Sequence, residues 1–170
     1  MLRIRRLTSI VLAGAALVAA AGCGGSSSSS PTPTQAAATL AGAAKRQLVG
    51  AFKNPLGATG RTLGLSIVTI PAGVKLPLHF HEGTQVAYIQ SGVLKYSVKS
   101  GQVRVMSGLA DQSPTVVRTI GAGQTSNITP GQWFVEQPST VHSAQAKTNV
   151  VVLLATLLRN GAPAATPVKK

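Results

Sequence analysis

The chain has 170 residues, enough for one domain of ordinary size, and 44% of them are apolar, enough to build a core. Sixteen Lys and Arg stand against three Asp and Glu, for a net charge of +13. The acids are Glu82, Asp111 and Glu136, too few for a two-carboxylate glycosidase or a carboxylate-rich Ca²⁺ or Mg²⁺ cage. The single Cys, Cys23, leaves no internal disulfide and no Cys-x-x-Cys zinc site.

Arg3, Arg5 and Arg6 precede an apolar run from Leu7 to Ala21, and Gly22-Cys23 follows. A basic segment, a short apolar stretch and small residues are the parts of an export signal. The run is shorter than the roughly twenty residues that cross a bilayer core, so residues 1–22 are expected to be a signal peptide. Ala20-Ala21-Gly22-Cys23 resembles a bacterial lipobox, with Ala20 where Leu is usual. The resemblance implies cleavage before Cys23 and a lipid on its thiol, a cell-envelope protein tethered to the membrane outside the cytoplasm. The other reading is an ordinary cleavage site and a secreted protein. Residues 23–47, rich in Gly, Ser, Pro, Thr and Ala, read as a tether. Residues 161–170 read as a disordered tail, which leaves 48–160 as the folded domain.

Within that domain, runs rich in Val, Ile, Leu and Thr alternate with Gly, Pro, Ser and Asn, the pattern of an all-β sandwich or barrel. The expected strands are Thr62–Ile70, Leu78–His81, Gln85–Gln90, Val93–Lys99, Gln102–Met106, Thr115–Ile120, Gln132–Glu136, Val141–Lys147 and Asn149–Arg159. Their links are too short for helical crossovers, so the pairing is antiparallel.

All three His lie in this region. His79 and His81 are two apart and share a strand face; His142 starts a later strand on which Ala144 and Ala146 share its face. A lone His among strands is most simply a surface or hydrogen-bonded core residue, and spacing distinguishes these three. Residues 73–92 resemble the first cupin motif, G-x5-H-x-H-x3-E-x6-G, with Gly73, His79, His81 and Gly92 in register and Gln85 in place of the Glu. Residues 131–142 resemble the second, with Gly131 and His142 at the right separation, Pro138 one place late, and Ser139 where Gly is usual.

The cupin resemblance covers about residues 60–158 and implies a single double-stranded β-helix or barrel. A divalent metal would be held by His79, His81, His142 and Gln85. Imidazole suits Fe, Mn, Ni, Cu or Zn without choosing among them. An amide in place of a carboxylate leaves more of the ion's charge in the pocket, which favours an anionic small-molecule ligand. Glu136 and Tyr88 fall on strands whose boundaries decide their faces, since one residue of slip reverses a face. Two functions follow: an extracytoplasmic metalloenzyme such as a small-molecule dioxygenase, or a non-catalytic binder of a small molecule or metal. A second copy of the chain is a candidate partner. Nucleic acid is disfavoured, because the bases are dispersed and the signal exports the chain.

Overall fold

The computed structural model describes residues 44–168, which form twelve strands and no helix. The larger antiparallel sheet has the order β1 (Lys45–Lys53), β2 (Arg61–Ile70), β11 (Val150–Arg159), β4 (Gly83–Ser91), β9 (Gln132–Glu136), β6 (Gln102–Ser107) and β7 (Thr115–Gly121). The smaller has the order β12 (Thr166–Pro167), β3 (Lys75–Phe80), β10 (Val141–Ala146), β5 (Leu94–Ser100) and β8 (Thr125–Ile128). This is the all-β architecture of two antiparallel sheets that the strand pattern implies.

Period-two alternation builds it. On β2, Ser66, Val68 and Ile70 are buried while Leu65 and Thr69 face out; on β4, Gln85, Ala87 and Ile89 are buried. The inward sets of both sheets form one core, with Tyr96, Val98, Val103, Val105, Ile120, Ile128, Phe134 and Val150 at its centre. Each large side chain so enclosed contributes about 1.5–3 kcal/mol of transfer free energy.

All nine expected strands are present, with ends shifted by three residues at most. Three more were not expected. Pairing starts at Lys45, inside the segment read as tether, because Lys45–Lys53 adds to β2 as an edge strand. That strand is exposed along nearly all its length and is bulged between Leu48 and Gly50, so it lacks the alternation by which strands are read. At the other end Thr166–Pro167 pairs with Phe80 and His79, so the tail expected to be disordered is part of the smaller sheet. A two-residue pairing that includes Pro leaves no sequence pattern. The third, β8, is short and mostly polar.

The folded unit therefore exceeds 48–160 at both ends. The expected signal peptide, Cys23 and most of the tether lie outside the described residues. Among those described, no helix is long and apolar enough to cross a membrane. The outer face of the larger sheet is apolar: Phe52 pairs with Leu63, and Leu65, Ala155 and Val86 stand in register, with Phe52, Leu63, Leu65 and Val86 exposed.

Candidate metal centre

The smaller sheet carries the three histidines. β3 and β10 pair with His79 directly opposite His142, and His81 lies one residue past the end of β3 on the same side as His79. The three ring centroids are 4.3, 4.9 and 5.1 Å apart, and one ring nitrogen of each lies within 4.8 Å of the others. All three are buried. Each ring is fixed through Nδ1, which donates to a backbone carbonyl: Pro77 at 2.7 Å for His79, Ala164 at 2.6 Å for His81, Thr140 at 3.1 Å for His142. A bond of this kind sets the tautomer and leaves Nε2 as the free electron pair. Ala164 belongs to the segment read as a disordered tail, so the tail orients a member of the triad.

The larger sheet supplies the opposite wall. Gln85 on β4 and Glu136 on β9 stand in register and both point inward, 1% and 5% exposed. Glu136 Oε1 lies 3.0 Å from His142 Nε2, and Oε2 lies 3.4 Å from His81 Nε2. Tyr96 Oη donates to Oε1 at 2.7 Å and Gln85 Nε2 to Oε2 at 3.0 Å. Tyr96 also stacks on His142 with ring centroids 5.0 Å apart. The pocket therefore contains a carboxylate, which corrects the expectation of a site composed of three imidazoles and an amide alone. The acid sits across the strand pair from the position where the cupin motif carries it. Tyr88, the other residue of open orientation, lies between inward-facing Ala87 and Ile89 and faces away from the barrel interior.

Burial governs the protonation of the cluster. His79 is lowered from 6.5 to about 4, chiefly because burial disfavours its charged form, with His142 adding to the effect. His81 is lowered for the same first reason, opposed by Glu136. Burial pushes the Tyr96 hydroxyl well above its usual range, and the neighbouring Glu136 pushes it further. Burial alone would raise Glu136, but His142, His81 and the Tyr96 hydrogen bond together hold it below the usual carboxylate value.

The cluster fits a divalent cation. A neutral imidazole carries one proton, yet both ring nitrogens of His81 and of His142 face oxygen acceptors: a carbonyl at Nδ1 and Glu136 at Nε2. A cation among the Nε2 atoms satisfies them and the carboxylate together. Two imidazole nitrogens on one ion are at most about 4.2 Å apart, twice a bond of about 2.1 Å, so the observed spacing closes with ring movements of less than an ångström. Gln85 Oε1 is buried and has no hydrogen-bond partner among the described residues. It is the one ligand-type oxygen of the cluster left unsatisfied.

The cluster lines a cavity of about 80 Å³ whose other walls are mostly apolar, among them Val68, Ile70, Leu76, Val152 and Leu154. Arg46 of β1 lies in the same wall. Gly73, Gly92 and Gly131 have φ of 83°, 79° and 80°, and at Gly92 a Cβ would stand 2.0 Å from the Asn149 carbonyl oxygen. Only Gly fits there.

No family model matches the chain, and no curated protein matches it. Several of the solved structures it is similar to are cupins. A cupin-superfamily protein from Desulfitobacterium hafniense is 10% identical with a TM-score of 0.47, over 68% of this chain and 77% of that one. KdgF from a Halomonas species is 19% identical with a TM-score of 0.46, over 69% and 81%. A salicylate 1,2-dioxygenase from Pseudaminobacter salicylatoxidans is 15% identical with a TM-score of 0.44, over 66% of this chain and 26% of the much longer enzyme.

Of the polar residues lining the cavity, Tyr96 and Arg46 were not read as part of the site, and Glu136 was named with its face left open. Glu136 had a usable signal, because Phe134 two residues earlier shares its face and is the bulkiest apolar residue of that strand to be fully buried. Tyr96 has the same spacing from the core residues Leu94 and Val98. Arg46 had none, since it sits in the segment taken as tether.

Proposed function

We propose that the chain is a metal-dependent enzyme acting on a small anionic molecule, held at the outer surface of the cell membrane by a lipid on Cys23. The observation that carries the metal reading is the convergence of three imidazole Nε2 atoms and the Glu136 carboxylate, with every Nδ1 already committed to a carbonyl. His79, His81 and His142 would hold the ion, and Gln85 through its unpartnered Oε1 is the fourth protein ligand. Bound there, a divalent metal supplies a Lewis acid and, if redox-active, a centre for oxygen chemistry. Glu136 holds or releases a proton at the edge of the cavity, and Tyr96 and Gln85 keep its two oxygens in place by donating to them. The apolar walls exclude water and strengthen these electrostatic interactions.

Cobalt(II) substitution tests the reading. Azide added to the cobalt-loaded chain should shift the visible bands, because an enzyme site keeps positions open to exogenous ligands. Bands indifferent to azide would mean a closed, structural ion and would leave a non-catalytic binding protein. For the tether, Cys23→Ser should release the protein from membranes. A variant that stays membrane-bound and uncut would instead mark the first segment as a simple signal anchor.

A further inference from the structure

We infer that Arg46 is the anchor for the carboxylate of a small organic acid that enters the barrel, a statement that takes the cavity of the preceding reading as a ligand site and names the class of its ligand. The chain is rich in bases, but among the described residues Arg46 is the one Lys or Arg that lines this cavity. The cavity walls around it are mostly apolar, and burial pulls its pKa below the usual guanidinium value. A guanidinium partly buried in such a wall gains from a partner of opposite charge that offsets its desolvation.

The described residues provide none. All three acids of the chain lie among the described residues, and none is available: Glu82 pairs with Arg159, Glu136 is enclosed by the histidines, Tyr96 and Gln85, and Asp111 is exposed on the loop between β6 and β7. What Arg46 does have is orientation. Its Nε donates to Oγ of Ser66 at 2.9 Å, and Ser66 is fully buried. The hydrogen bond to a neutral hydroxyl fixes the plane of the guanidinium, and the two terminal nitrogens remain as a fork of the width of a carboxylate.

The charges inside the cavity favour the same ligand. Arg46 and ionised Glu136 cancel, so a divalent ion leaves a net excess of two positive charges facing the cavity. The volume limits the rest of the molecule. An apolar cavity of about 150 Å³ accommodates benzene, and this one is about 80 Å³, which suits an aliphatic acid of roughly two to four carbons. Leu76, Leu154 and Val68 give its hydrocarbon part an apolar seat.

Propionate is the probe, with propionamide as its neutral counterpart of the same shape. Ligand-observed NMR titrations of the full chain should show propionate binding at least about tenfold tighter than propionamide, and Arg46→Gln should remove most of that preference. Should Arg46→Gln fail to fold, Arg46→Lys reads the same quantity, because it retains the charge and loses the fork; its propionate affinity should fall severalfold. No detectable propionate binding by the unaltered chain, equal binding of acid and amide, or an affinity unchanged in the folded variant would each overturn the inference. The titrations are run with and without a chelator. Arg46-dependent binding by a chain that takes up no metal would sink the metal reading and leave this one standing, whereas metal uptake with Arg46-independent binding would do the reverse.

Discussion

Glu136 is the residue on which the chemistry of the barrel turns. Enclosing a carboxylate costs several kcal/mol unless charge and hydrogen bonds compensate, and here two donors and two imidazole nitrogens surround it. Its Glu136→Gln variant should fold and lose about ten- to a hundredfold in metal affinity, measured by competition with a chromophoric chelator. An affinity equal to that of the parent would mean that the carboxylate plays no part in holding the ion. The metal-free chain should also be acid-sensitive. The folded pKa of His79, about 4, lies below the ordinary value of 6.5, so the unfolded chain takes up the proton first and stability falls as pH drops through that window. For His79 the loss is of order 3 kcal/mol. Glu136, held below the usual carboxylate value, adds loss of the same sign at the acid end. Denaturant unfolding in the presence of a chelator at pH 7 and pH 4.5 measures it, and equal midpoints would contradict a buried neutral His79.

At the scale of elements, legibility followed packing. Strands buried on one face were readable because alternation leaves a trace in the sequence, as on β2, β4 and β10. The edge strand β1 and the two-residue β12 are held by backbone pairing with a neighbour, and that leaves no hydrophobic period to read. The cost of this blind spot fell on function, because β1 carries Arg46 and the segment leading to β12 carries the carbonyl that orients His81. The histidines were legible for a different reason: strand geometry makes an i, i+2 pair face one way whatever the exact strand ends. The acid was not, since its face depended on where β9 begins. One turn is a test of the register that aligns these elements. Gly92 combines a positive φ with backbone at 2.0 Å from any added Cβ, so Gly92→Ala should cost about 2 kcal/mol or more and lower the melting temperature by about 5–10 °C. A variant that melts with the parent would show that the turn between β4 and β5 can relax.

For the whole molecule, the division of labour between the sheets is the central feature. The smaller sheet provides three imidazoles and the larger provides Glu136, Gln85 and Arg46, so the polar cluster exists only when the two sheets close on one another. Folding therefore assembles the ligand set, and a metal bound to the folded form adds its binding free energy to stability. The direct test is the metal content of the untagged chain by elemental mass spectrometry, beside His79→Ala and His142→Ala. The account predicts close to one equivalent of a divalent transition metal in the parent, and loss of most of it in each folded variant. A parent that remains metal-free after reconstitution with iron, manganese, nickel, copper and zinc would contradict it, and would leave the three histidines and Glu136 as an internal hydrogen-bonded cluster of the barrel.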